Sequence, residues 1–333
     1  MSRAAVLSFT QRGAETAGRI AGTLDGAWEV SLYQPRGGER GIVGRLFAEA
    51  DALIFVGACG IAVRAIAPFV KSKTTDPAVI VADERGQYVI SLLSGHIGGA
   101  NSLARRIAEG IGGTPVVTTA TDVNHRFAAD EWAARKGLTI ESMQAAKRFA
   151  VEILKRDLPL CSDFPVRGAL PGGLSAGGSG DCGLMISCRN EKPFDTTLLL
   201  IPRILHVGIG CKRGVSPERI RGAVERVLAS EHLLRAAIAE VASIDVKREE
   251  AGLLGFCREW ELPTVFFTAE ELRNVQGGFS ASAFVQSTVG VDNVCERAAV
   301  LSAGEGAALI VGKICMDGVT VAVAQEKWSV CFE

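Results

Sequence analysis

The sequence has few of the residues that mark several common protein classes. Its 333 residues include four histidines and nine cysteines, and the cysteines lie scattered with no Cys-x-x-Cys pair. This pattern excludes a disulfide framework, a zinc ribbon and a thioredoxin-type redox motif. Because histidine is so scarce, a metal cage built from protein ligands is not expected either, and we predict no protein-held metal.

An excess of charge and long apolar runs are also lacking. Lys and Arg number 36 against 37 Asp and Glu, and the net charge of −1 excludes a strongly basic protein that binds nucleic acid or membrane surfaces. The longest uncharged runs, 86–104 and 274–291, contain Gln, Ser, Asn and Gly, so they predict no membrane helix. The apolar stretch at 4–9 is too short for a signal-peptide core. We therefore expect a cytoplasmic protein with no nucleic-acid or membrane partner.

Strand-like and helix-like segments alternate in both halves of the chain. Short apolar segments at 4–8, 28–33, 52–57, 78–83, 88–93 and 115–119 predict strands. The DERG turn between the segments at 78–83 and 88–93 is short enough for a hairpin, and helical patterns separate the other strands. The same alternation resumes after residue 204, whereas 168–183 holds seven glycines in 16 residues. We predict an α/β protein with two α/β/α layered domains, 1–134 and 204–333. A small glycine-rich α+β central module, 135–203, joins them.

The generic enzyme fingerprints are absent or misplaced. GSGDCG at 178–183 fits G-x-G-x-x-G, but it runs into a predicted strand instead of opening a helix, which favours a loop over a dinucleotide site. Gly312 and Lys313 lack the Ser or Thr that follows in a phosphate-binding loop, and no G-x-S-x-G elbow occurs. A nucleotide-binding module is the least favoured function.

Glycine-bounded polar turns at strand ends are the main chemical signal, because open α/β sheets bind ligands at the carboxyl ends of their strands. The candidate residues are Arg64, Lys71 and Lys73, then Ser94, Gly95, His96, Gly98, Gly99 and Asn101, then Thr118, Thr119, Thr121 and Asp122 with Asp130 and Glu131 nearby in sequence, then Lys212 and Arg213, and finally Ser243, Asp245, Lys247 and Glu250. Each also has a structural interpretation. His96 can hydrogen-bond a neighbouring loop, and Asp122 can cap a helix. The density of such turns favours a functional site.

These segments resemble a known family. GACGIAVRAIAPFVKSKTTDPAVIVADERG, SGHIGGANSLARRIA and PVVTTATDV are similar to the N-terminal domain of the cobalamin-biosynthesis family CbiG, the cobalt-precorrin-5A hydrolases. VGIGCKRGVSPERIRGAV, ASIDVKREEAGL, QSTVGVDNVCERAAVLSA and VTVAVA are similar to its C-terminal domain, which the corrin-pathway protein CobE shares. The resemblance covers about 50–135 and 204–326.

The resemblance implies a carbon–carbon hydrolase of anaerobic vitamin B12 synthesis. Such an enzyme opens the δ-lactone of cobalt-precorrin-5A and releases acetaldehyde to give cobalt-precorrin-5B. Cobalt would arrive inside the substrate, so no cofactor of the enzyme's own is expected. Neighbouring corrin-pathway methyltransferases would supply that substrate, and a homo-oligomer is compatible with the sequence.

The chemistry suggests a role for each candidate residue. His96 is the preferred general base because its ordinary pKa is near neutral. Asp122 would orient it or serve as a second base, and Ser94 or Asn101 with the amides of Gly95, Gly98 and Gly99 would hold an oxyanion. The remaining candidates would bind the substrate: Arg64, Lys71, Lys73, Thr118, Thr119, Lys212, Arg213, Ser243, Asp245 and Lys247.

Two other classes of function stay open at the level of sequence. One is a non-catalytic carrier or chaperone of a corrinoid intermediate, which would not need the polar set around His96 and Asp122. The other is a different hydrolase or lyase that acts on another small polyanion and shares only the fold.

Overall fold

The structure, a computed structural model, describes residues 1–35, 39–72 and 75–332. Its strands are β1 Ser2–Ser8, β2 Trp28–Tyr33, β3 Ala52–Val56, β4 Ala78–Ala82, β5 Tyr88–Leu93, β6 Thr114–Val116, β7 Thr139–Ile140, β8 Leu158–Ser162, β9 Val166–Arg167, β10 Leu174–Ala176, β11 Cys182–Ile186, β12 Thr196–Ile201, β13 Leu205–Cys211, β14 Ile238–Ile244, β15 Thr264–Phe267, β16 Ala308–Met316, β17 Val319–Gln325 and β18 Val330–Cys331. Its α-helices are α1 Gln11–Leu24, α2 Glu39–Glu49, α3 Cys59–Ile66, α4 Ala100–Ile111, α5 Ala120–Val123, α6 Ala129–Arg135, α7 Met143–Glu152, α8 Pro217–Ser230, α9 Ala251–Glu259, α10 Ala269–Asn274, α11 Ala283–Val289 and α12 Cys295–Ala303.

The first of two compact units comprises Met1–Lys136, Ala150–Asp157 and Pro171–Gly173. Its sheet has the strand order β2-β1-β3-β4-β5-β6. Neighbouring strands are parallel except β4 and β5, which are antiparallel across a short turn, as the sequence predicted. Because β5 and β6 are parallel, they end at the same edge of the sheet.

Helices cover both faces of this sheet because its central strands are apolar on both sides. β3 and β4 are buried along their whole length, which is typical of parallel sheets. Ile20 of α1 and Ile107 of α4 belong to the core on one face, and Val43 of α2 and Ile66 of α3 belong to the core on the other. The predicted α/β/α layering is therefore confirmed for this unit.

The second unit comprises Gly137–Phe149, Leu158–Leu170 and Leu174–Glu333. It contains the sheets β10-β8-β11-β12-β7 and β15-β14-β13-β17-β16 and the short pair β9 and β18. In the second of these sheets β13, β14 and β15 are parallel, while β17 and β16 are antiparallel additions. α12 packs against β14 through Ala298 and Ile244. The α/β class predicted for the C-terminal half is confirmed.

The central region is divided between the two units. The main segment of the first unit ends at Lys136, close to the predicted boundary at residue 134. Within 135–203, the strands belong to the second unit, whereas Ala150–Asp157 and Pro171–Gly173 belong to the first. The GSGDCG segment leads into strand β11, so no helix N-terminus follows it to receive a pyrophosphate. Within the described ranges, no helix has the length and apolar character needed to cross a membrane.

Candidate active site

The polar turns after β5 and β6 come together in the first unit. The loop 94–99 joins β5 to α4, and the short helices α5 and α6 follow β6. Because the two strands end at one sheet edge, these turns lie side by side. They form a group of side chains that we call the His96 cluster: His96, Asn101, Arg105, Thr119, Thr121, Asp122, Asp130 and Glu131.

The loop that carries His96 is tightly folded. Ser94 has a φ of 56° and its Oγ donates a hydrogen bond to the carbonyl of Asp76 at 3.0 Å. A Cβ on Gly98 would lie 2.4 Å from the Ser94 Cβ, so only glycine fits there. Gly99 precedes α4 with a φ of 78°, and its amide donates to the carbonyl of His96 at 2.8 Å. The glycines therefore fix the position of the imidazole.

The His96 ring lies between acidic groups on two helices. Nδ1 is 3.2 Å from Oδ1 of Asp130, and Nε2 is 3.4 Å from Oδ2 of Asp122. Nε2 is also 3.1 Å from the hydroxyl of Thr121. About a fifth of the His96 side chain is exposed, since its relative exposure is 21%. With Nδ1–H donated to Asp130, Nε2 is the nitrogen that can accept a proton.

Asp122 is held by several donors at once. Arg105 Nη2 donates to Oδ1 at 2.6 Å, Asn101 Nδ2 donates to Oδ2 at 3.0 Å, and the Thr119 hydroxyl also donates to Oδ2. Asn101 and Arg105 are one turn apart on α4 and therefore share a face of that helix. These contacts keep Asp122 in place as an ionised carboxylate beside His96.

The pKa values follow from this arrangement. The hydrogen bond with Asp130 raises the pKa of His96 above 6.5, against the opposing effect of burial. Burial alone would raise the pKa of Asp122, but its hydrogen bonds from Thr119 and Arg105 outweigh burial and lower it below 3.8. Burial alone would also raise the pKa of Asp130, but the hydrogen bond with His96 outweighs burial and lowers that pKa. Burial raises the pKa of Glu131 above 4.5, and the charge of Asp122 adds to that effect.

A cation is one ligand that the cluster could hold. His96, Asp122 and Glu131 each offer one possible ligand atom, and these three atoms lie within 4.8 Å of one another. Asp122 already accepts hydrogen bonds from Arg105, Asn101 and Thr119, so its charge is balanced and most of its lone pairs are used. The donor set therefore suits proton transfer better than tight binding of a metal ion.

The predicted oxyanion donors differ in whether they have a hydrogen free to donate to a substrate. Ser94 is buried and its hydroxyl hydrogen is donated to the backbone, so it shapes the loop. The Gly99 amide donates within the loop and has no hydrogen left for substrate. Asn101 is buried and orients Asp122, while its Oδ1 has no hydrogen-bond partner among the residues that the structure describes. Within the described loops, the amides of Gly95 and Gly98 donate no backbone hydrogen bond, so they are the better candidates for oxyanion donors.

The substrate-binding candidates of the first unit lie on its surface. Arg64 is exposed in the last turn of α3, and Lys71 is exposed after that helix. Thr118 is exposed, whereas Thr119 is half-buried in the His96 cluster and bonds to Asn101 and Asp122. Lys73 lies outside the described residues.

In the second unit, Lys212 and Arg213 are exposed at the end of β13 beside an open cleft. Lys247 lines the same cleft and makes an ion pair with Glu250 at 2.9 Å. Ser243 is fully buried and donates to the carbonyl of Ile209 at 2.6 Å, so it is a structural residue of β14 and cannot touch a substrate. Asp245 is half-buried in a 3-10 turn next to the cleft and does not line it.

Arg105 was not among the residues singled out from the sequence, and Asp130 and Glu131 were noted only as acidic residues near the turn at 118–122, with no role assigned to them. Asp130 and Glu131 lie in the first turn of α6, because the N-terminus of a helix favours carboxylates. A helical interpretation of AADEWAARK could have placed them in that first turn. Arg105 could have been found from its spacing of four residues after Asn101. The pairing of Asp130 with His96 itself has no local signal, because 34 residues separate them.

Comparisons with known proteins agree with this arrangement of two halves. The family model for the cobalamin synthesis G N-terminal domain matches residues 41–122, and the model for the cobalamin synthesis G C-terminus matches residues 205–324. Together they span more than half of the chain. The first match includes His96 and Asp122, and the second includes the cleft residues Lys212, Arg213 and Lys247.

Curated relatives extend this similarity over most of the length. The cobalt-precorrin-5A hydrolase of Salmonella typhimurium is 37% identical over 284 residues, covering 81% of this chain and 81% of the relative. The cobalt-precorrin-5A hydrolase of Priestia megaterium is 29% identical over 355 residues, covering 96% of this chain and 94% of the relative. Protein CobE of a Sinorhizobium species is 32% identical over 121 residues, covering 36% of this chain and 79% of CobE. The predicted resemblance is thus confirmed, and the chain belongs to the cobalamin synthesis G family.

Proposed function

We propose that this protein hydrolyses cobalt-precorrin-5A, with the His96 cluster as its catalytic site. The observation that supports this proposal is the imidazole of His96 held by Asp130 on one nitrogen, with the other nitrogen open toward Thr121 and Asp122. A carboxylate on Nδ1 fixes the tautomer and stabilises the imidazolium that forms when Nε2 takes a proton. Two relatives named cobalt-precorrin-5A hydrolase and the matches to the two cobalamin synthesis G family models support the choice of substrate.

Opening the lactone requires one activated water. Nε2 of His96 takes a proton from water as the water oxygen bonds to the lactone carbonyl carbon. The carbonyl oxygen becomes an oxyanion, for which the amides of Gly95 and Gly98 are the candidate donors. The carbonyl carbon then releases the ring oxygen, and the His96 imidazolium returns its proton to that oxygen. The result is a carboxylic acid, which releases its proton to solvent, and a hydroxyl on the carbon that carries the methyl group.

Release of acetaldehyde follows from the new hydroxyl. Removal of its proton by Nε2 lets the oxygen form a carbonyl as the bond between that carbon and the macrocycle breaks. The electron pair of the broken bond enters the conjugated macrocycle, which then takes up the proton. Atoms balance with one water consumed, and no cofactor held by the protein takes part; cobalt enters as part of the substrate.

The test is an anaerobic assay with cobalt-precorrin-5A generated in situ, following the macrocycle mass and released acetaldehyde. We expect loss of a two-carbon unit with matching acetaldehyde, and a fall of about 10²- to 10⁴-fold in His96→Asn, the contribution typical of a general base. His125→Asn is the matched control, since His125 is an exposed histidine of the same unit. Binding without a change in mass would instead favour a corrinoid carrier, and a fully active His96→Asn would remove His96 from the mechanism.

The proposal also covers the compartment in which the protein acts and the source of its substrate. We place the protein in the cytoplasm, where corrin-pathway methyltransferases would deliver the substrate. The same assay run with a delivering methyltransferase at substoichiometric and equimolar levels checks that supply. Direct transfer predicts that a competing free corrinoid slows the equimolar reaction less than the substoichiometric one.

A further inference from the structure

The second unit contains a large open cleft that takes no part in the proposed chemistry. We call it the C-terminal cleft; it lies between the end of β13, the segment 244–251, α11 and the β16–β17 hairpin. Its volume is about 1040 Å³, at the upper end of the range for small-molecule sites. A nucleotide or an amino acid would leave much of this space empty.

One side of the C-terminal cleft is apolar. Val285 and Val289 lie one turn apart on α11 and face the cleft together with Ile244 and Val294. Val246 also lines it and is 64% exposed, so it adds apolar surface at the edge of the cleft. Burial raises the pKa of Cys295 to about 11, so this cleft thiol is neutral and leaves the apolar wall uncharged.

The rim of the C-terminal cleft is positive. Lys212, Arg213 and Lys313 line it and make no ion pair within the described part of the chain. Among the acidic groups of the rim, Glu250 makes an ion pair with Lys247 and accepts a hydrogen bond from the amide of Gly214.

Two acidic groups of the rim remain, and only one of them is unpaired. Asp317 pairs with Arg226 at 3.0 Å, which leaves Glu249 as the unpaired acid among the described residues of the rim. Three unpaired cations therefore face one unpaired carboxylate, in a chain whose net charge is −1.

We propose that the C-terminal cleft is a binding site for a flat, largely apolar ring system edged with carboxylates, the chemistry of a tetrapyrrole polycarboxylate. The apolar wall would cover the face of the ring and the three cations would pair with carboxylates at its edge. The choice of this ligand class rests on the proposed function, whereas the site itself rests on the volume, wall and charge of the cleft.

The test is equilibrium dialysis of the full chain against dicyanocobyrinic acid, whose corrin ring carries carboxylates, and dicyanocobinamide, whose ring carries amides. We expect cobyrinic acid to bind at least tenfold more tightly and to lose affinity as salt is raised. Arg213→Gln/Lys313→Gln should weaken its binding about fivefold, the effect expected for two exposed ion pairs. Lys147→Gln/Arg148→Gln, which alters an exposed pair on α7, is the matched control and should bind as the unmodified protein does.

A second variant tests the apolar wall without risk to folding. Val246→Glu places a carboxylate on the exposed rim and should weaken cobyrinic acid binding about tenfold, because it removes apolar contact and repels the ligand. The inference is overturned if both cleft variants bind like the unmodified protein, if the α7 control loses as much affinity, or if cobinamide binds equally tightly.

The same protein preparations separate this inference from the proposed function. His96→Asn should bind cobyrinic acid with unchanged affinity while losing acetaldehyde release. If the unmodified protein releases no acetaldehyde but the cleft variants lose binding, the proposed hydrolysis fails and the cleft assignment stands. If acetaldehyde is released and the cleft variants bind normally, only the cleft assignment fails.

Discussion

Replacing Asp130 by asparagine is the most direct way to perturb the proposed catalytic histidine without touching it. In Asp130→Asn the new amide keeps the shape of the side chain but removes the charge that lies 3.2 Å from Nδ1 of His96. That hydrogen bond is the largest cause of the raised pKa of His96, so its loss leaves burial to dominate and the pKa of His96 falls.

The expected size of the effect follows from the geometry. Both side chains are largely buried, with exposures of 21% and 18%, so solvent screens their interaction little. A hydrogen bond to a charged group is worth about 1.5–3 kcal/mol. If the transition state contains the His96 imidazolium, this loss slows the reaction about 10- to 150-fold at the pH plateau.

The assay is the pH dependence of acetaldehyde release, measured anaerobically from below pH 6 to above pH 8. The unmodified protein needs neutral His96, so its activity should rise with pH through a His96 pKa above 6.5. In Asp130→Asn the acidic limb should move to lower pH while the plateau falls. Asp157→Asn is the control, because Asp157 pairs with Arg126 on the surface of the same unit.

Two results would refute this reasoning. An unchanged acidic limb would show that Asp130 does not set the protonation of the group that controls the rate. A plateau equal to that of Asp157→Asn would show that no imidazolium stabilised by Asp130 forms in the transition state. A fall in activity without any shift of the limb would assign Asp130 a structural role only.

Three further predictions concern stability and metal content. Because the pKa of His96 is raised in the folded state, its ionisation stabilises the protein fully below pH 6.5, and this stabilisation is lost as the pH rises through the folded pKa. In urea unfolding, the free energy of unfolding should therefore differ more between the unmodified protein and His96→Gln at pH 6 than at pH 9. Equal differences at the two pH values would contradict this prediction. A Cβ on Gly208 would lie 1.8 Å from the carbonyl oxygen of Cys295, so Gly208→Ala should lower the free energy of unfolding by about 3 kcal/mol in a thermal unfolding experiment. The control is Gly222→Ala, on α8 with open space around it, which should be neutral or stabilising by up to about 1 kcal/mol. Dialysis against a chelator should leave acetaldehyde release unchanged because the His96 cluster is proposed to act without a metal of its own; loss of activity that zinc restores would instead place a cation among His96, Asp122 and Glu131.

Local sequence patterns were sufficient for most of the first sheet. The strand at 28–33 was predicted with its observed bounds, and the DERG turn was predicted as the hairpin that joins β4 and β5. These elements were readable because β3 and β4 are uninterrupted apolar runs and the turn between β4 and β5 is only a few residues long. The central region was harder, because whether its short strands join one unit or the other depends on contacts far apart in sequence.

The sequence by itself determined that this is an α/β protein with polar, glycine-bounded turns at strand ends, and its motifs identified the family. It placed His96 and Asp122 among the residues of the candidate site because both follow strands that a parallel sheet brings to one edge. Only the tertiary structure decided the partners. Asp130 reaches Nδ1 of His96 from a helix 34 residues away, and Ser243 is buried in β14 although its segment is strongly polar. Hydrogen-bond partners and burial depend on how elements pack in three dimensions, and residue types along the chain do not encode that packing locally.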